Sequence, residues 1–172
     1  IASDPERPAG TPKPKNPPPI VTERWQFKKD VDGYLDARRS HLYVHDVARS
    51  ESMQITSGDH DEAQPAWSPD GRQIAYITRR GGEPDRHSNF DIYLVEPRAG
   101  ATERRLTTFD GADNDPDLES PISWSPDGRQ LAFVQGGEDK WIYYAPNQLA
   151  IVDVATGRTR VPAPIDRWFT QP

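Results

Sequence analysis

Short hydrophobic runs, separated by polar turn segments, recur along the chain from Trp25 onward. The runs are rich in β-branched and aromatic residues and have the length that is typical of strands. No apolar stripe continues at helical spacing, so the pattern predicts an all-β fold. The predicted strands read RWQFK, HLYVHDV, QIAYITR, DIYLVEP, QLAFVQ and LAIVDV.

A repeat organises these strands. The words WSPDGRQ begin at Trp67 and again at Trp124, 57 positions later, and the same offset relates Gly100 to Gly157. A weaker copy, RSHLYVHDVARSESMQIT, lies upstream. The repeating unit therefore predicts four strands: one that ends at the Trp, one after SPDG, one like DIYLV and a closing one like RRLT.

The SPDG words predict a tight hairpin. Ser suits the first position of a type I turn, Pro sets the backbone of the second, and Gly accepts the conformation that follows the turn. A single four-stranded unit cannot cover both of its own faces. Copies packed face to face make a β-propeller, whereas the strands of a β-sandwich, the structural alternative, seldom repeat their wording in register.

The chain divides into a proline-rich start and successive propeller blades. Residues 1–20 contain seven of the 18 prolines and predict an exposed loop or linker, with a proline-rich recognition motif as the alternative. The predicted units are a partial blade at 21–57, blades at 58–108 and 109–163, and the start of another blade at 164–172.

Composition restricts the function classes. A net charge of −6 argues against a nucleic-acid partner, and no run is apolar enough to span a membrane. The absence of cysteine excludes disulfides, cysteine nucleophiles and cysteine-ligated zinc. The chain opens on Ile1 without the features of a signal peptide, so we expect a piece of a longer chain. The compartment, cytoplasmic or periplasmic, and the oligomeric state stay open.

The repeat words also carry a family resemblance. WSPDGRQIAYIT and WSPDGRQLAFV resemble the blade motif shared by periplasmic TolB proteins and by serine peptidases of the prolyl oligopeptidase family. PPIVTERWQFKKDVDGYLDARRSHLYVHDV resembles a blade entry of the acylaminoacyl-peptidase and dipeptidyl-aminopeptidase branch. The resemblance covers residues 18–172, and it implies a fragment of a ring with seven or eight blades.

The resemblance implies a peptidase whose chemistry lies elsewhere. No G-x-S-x-G nucleophile motif occurs in the 172 residues, and Ser68 and Ser125 belong to the predicted turns. The Ser, His and Asp of the reaction are therefore expected in a hydrolase domain that follows the propeller. The expected partners are the remaining blades and short peptides, which the ring would admit to that domain; no cofactor is implied.

Two other readings use similar blades. A TolB-like propeller without catalytic activity would act as a protein-interaction platform. A propeller attached to an amidohydrolase would bring metal ligands elsewhere in its chain. The sequence beyond this segment distinguishes the three classes.

The sequence predicts no metal site. His41 and His45 would stand about 13 Å apart along a strand, too far to share an ion, which favours surface or inter-blade packing. Asp110, Asp113, Asp115 and Asp117 are interpreted as a solvated acidic loop, with loose calcium binding as the alternative. Counted from Asp113, Leu118 and Trp124 occupy positions where a calcium loop needs Gly and Glu. GDHDE at 58–62 is interpreted in the same way.

One stretch, QGGEDKWIYYAPNQL, predicts substrate contacts. Enzymes that recognise a free α-amino group need carboxylates to pair with it and aromatic side chains to exclude water. The candidate substrate-binding residues are Glu138, Asp139, Trp141, Tyr143 and Tyr144, with blade packing and exposed acidic side chains as the alternative.

Overall fold

The computed structural model describes residues 16, 19–30, 33–118, 120–141 and 144–162. Within these residues the regular structure is β-strand with three short 3₁₀ helices, Pro84–Arg86, Pro116–Leu118 and Asp139–Trp141, and no helix has the length and apolar character to cross a bilayer. The strands are β1 (Lys28–Lys29), β2 (Gly33–Tyr34), β3 (Tyr43–Asp46), β4 (Glu51–Gln54), β5 (Glu62–Trp67), β6 (Ile74–Thr78), β7 (Asp91–Val95), β8 (Arg104–Arg105), β9 (Gly111–Asp113), β10 (Ser123–Trp124), β11 (Gln130–Glu138), β12 (Gln148–Asp153) and β13 (Thr159–Arg160).

Three of the antiparallel sheets follow one another along the chain like blades. We call the β3–β4 hairpin blade 1, the sheet β5-β6-β7-β8 blade 2, and the sheet β10-β11-β12-β13 blade 3, in which β9 also pairs with β11. A separate β1–β2 hairpin precedes them. The predicted all-β fold, a partial propeller with antiparallel four-stranded units, is confirmed.

The two SPDG turns adopt the same closed conformation. Gly71 and Gly128 both have φ of 69°, and each donates its backbone N–H to the carbonyl of the turn's serine at 2.9 Å. Ser68 Oγ donates to Asp70 Oδ1 at 2.7 Å and accepts from the backbone of Gln73 at 2.9 Å. These bonds close the turn, so the predicted turn role of the serine is correct.

The core consists of two layers between the blades. One lies between blades 2 and 3, with Ile77, Leu94 and Phe133 buried in it, and the other lies between blades 1 and 2 around Leu42 and Tyr76. Both faces of blade 2 are covered, and every residue of β6 and β7 is buried. Each large apolar side chain buried in this way contributes about 1.5–3 kcal/mol, which drives the face-to-face packing.

The two repeat tryptophans have different surroundings. Trp124 packs against the layer between blades 2 and 3, and its indole N–H donates to the carbonyl of Ala66 in β5 at 3.1 Å. Trp67, at the equivalent position of blade 2, is 50% exposed. Blade 1 comprises only β3 and β4 in the part of the chain that the structure describes, so it offers Trp67 no strand equivalent to β5.

The predicted strand RWQFK is wrong for most of its length. The strand begins only at Lys28, and Trp25 is an exposed side chain whose ring lies 4.1 Å from the Arg86 guanidinium carbon. Charge contacts of Arg24, rather than a sheet ladder, hold this segment. The predicted loop at 1–20 and the blade start at 164–172 lie almost entirely outside the described residues.

Antiparallel connections divide each blade into two edges. The SPDG turns and the β7–β8 turn lie at one edge, which we call the SPDG edge. The longer connections 79–90 and 106–118, together with the segments 139–141 and 144–147, lie at the other, which we call the connection edge. Because each connection joins the ends of neighbouring strands, their side chains gather at the same edge of blades 2 and 3.

Candidate functional site

A groove with a volume of about 700 Å³ runs along the connection edge. Residues 25–29, which include β1, form one wall, and loops of blades 2 and 3 form the other. Aromatic and charged side chains share the lining, including Trp25, Phe90, Lys29, Arg79, Asp115 and Asp139. A smaller cavity of about 180 Å³ adjoins the groove and shares Asp115, Asp117 and Asp139 with it.

Asp139 is held in the groove by backbone contacts on both sides. Its Oδ1 accepts from the N–H of Ser88 in blade 2 at 2.7 Å, and its own N–H donates to the carbonyl of Asp110 at 2.9 Å. A carboxylate that accepts a hydrogen bond from a neighbouring blade has a fixed direction. The predicted residue Asp139 therefore lies where two blades meet.

Two glycines set the path of the chain into Asp139. The register between β11 and β9 shifts between Gln135 and Glu138. A Cβ on Gly137 would lie 2.1 Å from the Cβ of Ala145, and a Cβ on Gly111 would lie 2.1 Å from the carbonyl oxygen of Gly137. Only glycine permits this close approach, so the GG of the sequence directs the following turn toward blade 2.

The structure describes three of the other four predicted substrate residues, and none of the three lines the groove. Glu138 forms an ion pair with Lys140, whose ammonium lies 5.4 Å from the centre of the Trp141 ring. The side chains of Trp141 and Tyr144 are exposed. Tyr143 lies outside the described residues. Glu138, Trp141 and Tyr144 do not line the groove, and their substrate contacts stay predictions.

Asp115 and Asp117 join Asp139 in the lining, although the sequence placed them in a solvated loop. Burial raises the pKa of Asp115; the Asp117 N–H, which donates to its Oδ1 at 2.9 Å, lowers that pKa. Asp117 remains exposed. The sequence indicates this position only weakly, because Asp115 and Asp117 enter the lining through the local turn at Pro116–Leu118.

The solvated-loop prediction is wrong for Asp113. This residue ends β9 and is fully buried, and burial raises the pKa of its carboxyl group to about 6. Gln135 donates to its Oδ1 at 2.8 Å. Loops rich in aspartate are usually solvated, but here the backbone of Asp113 pairs with Gln135 of β11 and draws the side chain inward.

An ionic cluster secures the wall of the groove that the β1–β2 segment forms. Arg24 binds both carboxylate oxygens of Asp85, with distances of 3.0 and 2.9 Å, and Asp61 at 3.0 Å. The hydrogen bond from Arg24 is the main cause of the lowered pKa of Asp85. Bidentate geometry and low exposure make this pair stronger than an ordinary surface ion pair.

Arg79 forms the partition between the groove and a second cavity of about 480 Å³. Its guanidinium carbon lies 4.7 Å from the centre of the Phe90 ring, and Nη1 donates to the carbonyl of His87 at 2.8 Å. Burial lowers its pKa. The groove thus presents four carboxylates and five cationic groups within one concave surface, which suits a short charged ligand. The carboxylates belong to Asp85, Asp115, Asp117 and Asp139, and the cationic groups to Lys28, Lys29, Arg79, Arg86 and Lys140.

A buried polar cluster lies between blades 1 and 2. The Glu62 carboxylate is fully buried; its Oε2 lies 2.8 Å from His41 Nδ1 and accepts from Thr56 Oγ1 at 2.8 Å. The prediction of a solvated GDHDE segment is therefore wrong at Glu62, where β5 begins against blade 1. The prediction of inter-blade packing is correct for His41, whereas His45 is exposed beside Ser52.

Comparison with known proteins identifies relatives of this chain. The model of the "Dipeptidyl peptidase IV (DPP IV) N-terminal region" family matches residues 28–140. The uncharacterized peptidase YuxL of Bacillus subtilis is 29% identical over 125 residues, which are 72% of this chain and 17% of YuxL. Dipeptidyl-peptidase 5 of Porphyromonas gingivalis is 33% identical over 95 residues, which are 54% of this chain and 13% of that protein. The chain thus spans under a fifth of either relative.

Among solved structures, the putative TolB from Agrobacterium tumefaciens is similar in fold. It superposes with a TM-score of 0.54 at 21% identity, covering 70% of this chain and 40% of that one. At this identity the likeness concerns the architecture of the blades and carries no information about ligands.

Proposed function

Because the chain belongs to the dipeptidyl peptidase IV N-terminal region family, we propose that it is the propeller segment of a serine peptidase acting on short peptides. Two relatives that bear peptidase names support this proposal. The chain itself has no G-x-S-x-G motif. Serine, histidine and aspartate for acyl transfer would therefore come from another part of the protein.

The convergence of Asp115, Asp117 and Asp139 with aromatic side chains in one groove carries the proposal. In our proposal the connection edge faces the hydrolase domain and the groove lines the substrate cavity. Carboxylates in a partly desolvated groove pair strongly with a free α-ammonium group, which favours exopeptidase action on short peptides. Glu138, Trp141 and Tyr144 would lie at the rim.

The test compares Asp139→Asn with the wild type in the full-length protein. We expect KM for peptides with a free amino terminus to rise about tenfold, because one charge-assisted hydrogen bond is lost. KM for amino-blocked peptides should not change. Glu96→Gln, an exposed carboxylate at the SPDG edge, is the matched control. Equal KM values for Asp139→Asn and the wild type on free-amino peptides would refute the role of Asp139.

A separate measurement tests the reaction class. A fluorophosphonate probe should label one serine of the full-length protein, and Asp139→Asn should be labelled equally well. Because the blades are similar in fold to TolB, the alternative function is that of a non-catalytic protein-interaction platform. Absence of labelling together with absence of peptide hydrolysis would favour that platform and overturn the peptidase proposal.

A further inference from the structure

Two buried polar atoms face each other between blades 1 and 2 without a hydrogen bond. Glu62 Oε1 and His60 Nε2 are 3.1 Å apart, and neither has a hydrogen-bond partner among the residues that the structure describes. The Glu62 side chain has no exposure at all. A buried carboxylate oxygen that is left without a donor is costly and requires an explanation such as a bound ion.

We propose that His60, Glu62 and Glu103 form a binding site for a divalent metal ion of the Zn²⁺ class. Each residue offers one ligand atom, and the three atoms lie within 4.8 Å of one another. Imidazole nitrogen and carboxylate oxygen are zinc ligands at about 2.0–2.2 Å, so two ligand atoms on a tetrahedron stand roughly 3.4 Å apart. The separation of 3.1 Å between Glu62 and His60 is close to that value.

The surroundings orient the proposed ligands. His41 Nδ1 and Thr56 Oγ1 both contact Glu62 Oε2, and the N–H of Leu42 holds the Thr56 hydroxyl at 2.9 Å. With Oε2 occupied, Oε1 points toward His60. Partners of this kind orient the ligands in established metal sites.

The remaining two ligands are prepared in similar ways. The hydroxyl of Tyr76 donates to Glu103 Oε2 at 2.5 Å and holds that carboxylate at the interface. The His60 side chain is mostly buried, with 19% of its surface exposed. The same burial removes water that would compete for the ligand atoms.

Arg80 is the competing cation. Its Nη2 contacts Glu103 and lies 3.7 Å from Glu62 Oε1, while its guanidinium carbon lies 4.3 Å from the centre of the Tyr93 ring. Binding of the metal requires Nη2 to leave Glu103. Removal of this positive charge should therefore strengthen metal binding, a result that a purely structural ion-pair network would not produce.

The experiment titrates Zn²⁺ into the chelator-treated full-length protein by calorimetry and records melting temperatures. We expect the wild type to bind one Zn²⁺ more than His60→Ala or Glu103→Gln binds, and to melt several degrees higher with Zn²⁺. Mg²⁺ should not replace Zn²⁺, because magnesium avoids nitrogen ligands. His45→Ala, which removes an exposed histidine of β3, should bind as the wild type does.

Arg80→Met provides the decisive arm. It should bind Zn²⁺ at least about tenfold more tightly than the wild type, because a cation is removed from the site. Equal zinc stoichiometry in the wild type, His60→Ala and Glu103→Gln would overturn the proposal. Unchanged or weaker binding in Arg80→Met would overturn it as well.

Discussion

At the scale of single residues, two acidic side chains are buried, although acidic side chains usually lie at the protein surface. Asp113 and Glu62 lie in segments that have the composition of solvated loops, yet both side chains are buried where blades meet. Glu62 is stabilised by His41 and Thr56. Asp113 has a donor on Oδ1 from Gln135, while its Oδ2 has no partner among the described residues.

The raised pKa of Asp113 makes a signed prediction about stability. The pKa is about 6 in the folded protein, whereas the ordinary value for an aspartate carboxyl group is 3.8. The contribution of the protonated Asp113 carboxyl group to the free energy of unfolding is therefore fully present below about pH 4 and is lost as the pH rises through 6. Asp113→Asn removes the buried charge and should raise the unfolding free energy at pH 7.5 by about 1–2 kcal/mol.

Urea denaturation at two pH values measures this effect. At pH 4 the substitution should change the unfolding free energy much less, because the native carboxyl group is already protonated there. Asp30→Asn, at an exposed position after β1, controls for general charge effects. An Asp113→Asn effect that is equal at both pH values would contradict the assignment.

At the scale of elements, glycines act in two distinct ways. Gly71 supplies a positive φ of 69° in the SPDG turn, and a Cβ there would meet no atom within 4 Å. Gly111 instead permits β9 to approach β11, where a Cβ would collide with the backbone of Gly137. The first role concerns backbone strain alone, whereas the second concerns contact between strands.

We therefore expect Gly111→Ala to cost more stability than Gly71→Ala. Gly71→Ala should lower the unfolding free energy by about 1 kcal/mol, the usual cost of placing alanine at positive φ. Gly111→Ala should lower it by more than about 2 kcal/mol, because a backbone atom must move. Thermal unfolding of both variants measures the difference, and the opposite order would show that β9 is not packed as described.

At the scale of the whole molecule, each blade depends on its neighbours. Blade 2 is covered on both faces, and each hydrophobic layer belongs to two blades at once. Such packing explains why β6 and β7, the two inner strands of blade 2, are mostly apolar instead of alternating. It also brings the connections of successive blades together, so a groove can form from residues far apart in the chain.

If the propeller admits only short peptides to the hydrolase domain, the rate of hydrolysis should depend on substrate length. The full-length protein should hydrolyse short peptides, and its kcat/KM should fall steeply as the same cleavage sequence is placed in longer peptides and then in a folded protein. The physical reason is that a closed ring would admit only small, unfolded ligands to an active site that it covers. Rates measured on a length series test this, and equal kcat/KM values for the short peptide and the folded protein would exclude a gating propeller.

Much of the fold followed from local sequence signals. The strands after each SPDG turn, the turn itself and the repeat register are local properties, since turn chemistry and strand patterning act over a few residues. The segment RWQFK was misassigned because Arg24 and Trp25 are held by Asp85 and Arg86, which are distant in sequence. Of the predicted substrate residues, Asp139 lines the groove, whereas Glu138, Trp141 and Tyr144 do not.

By itself, the sequence determined the strands, the SPDG hairpins and the need for blades to pack on one another, because these depend on residue type and short spacing. Only the tertiary structure decided which acidic residues are buried, which tryptophan is covered and which carboxylates share a groove. Trp67 and Trp124 stand in the same seven-residue words, yet one is half exposed and the other bonds to Ala66. Burial depends on what the neighbouring blade supplies, and no local pattern encodes that.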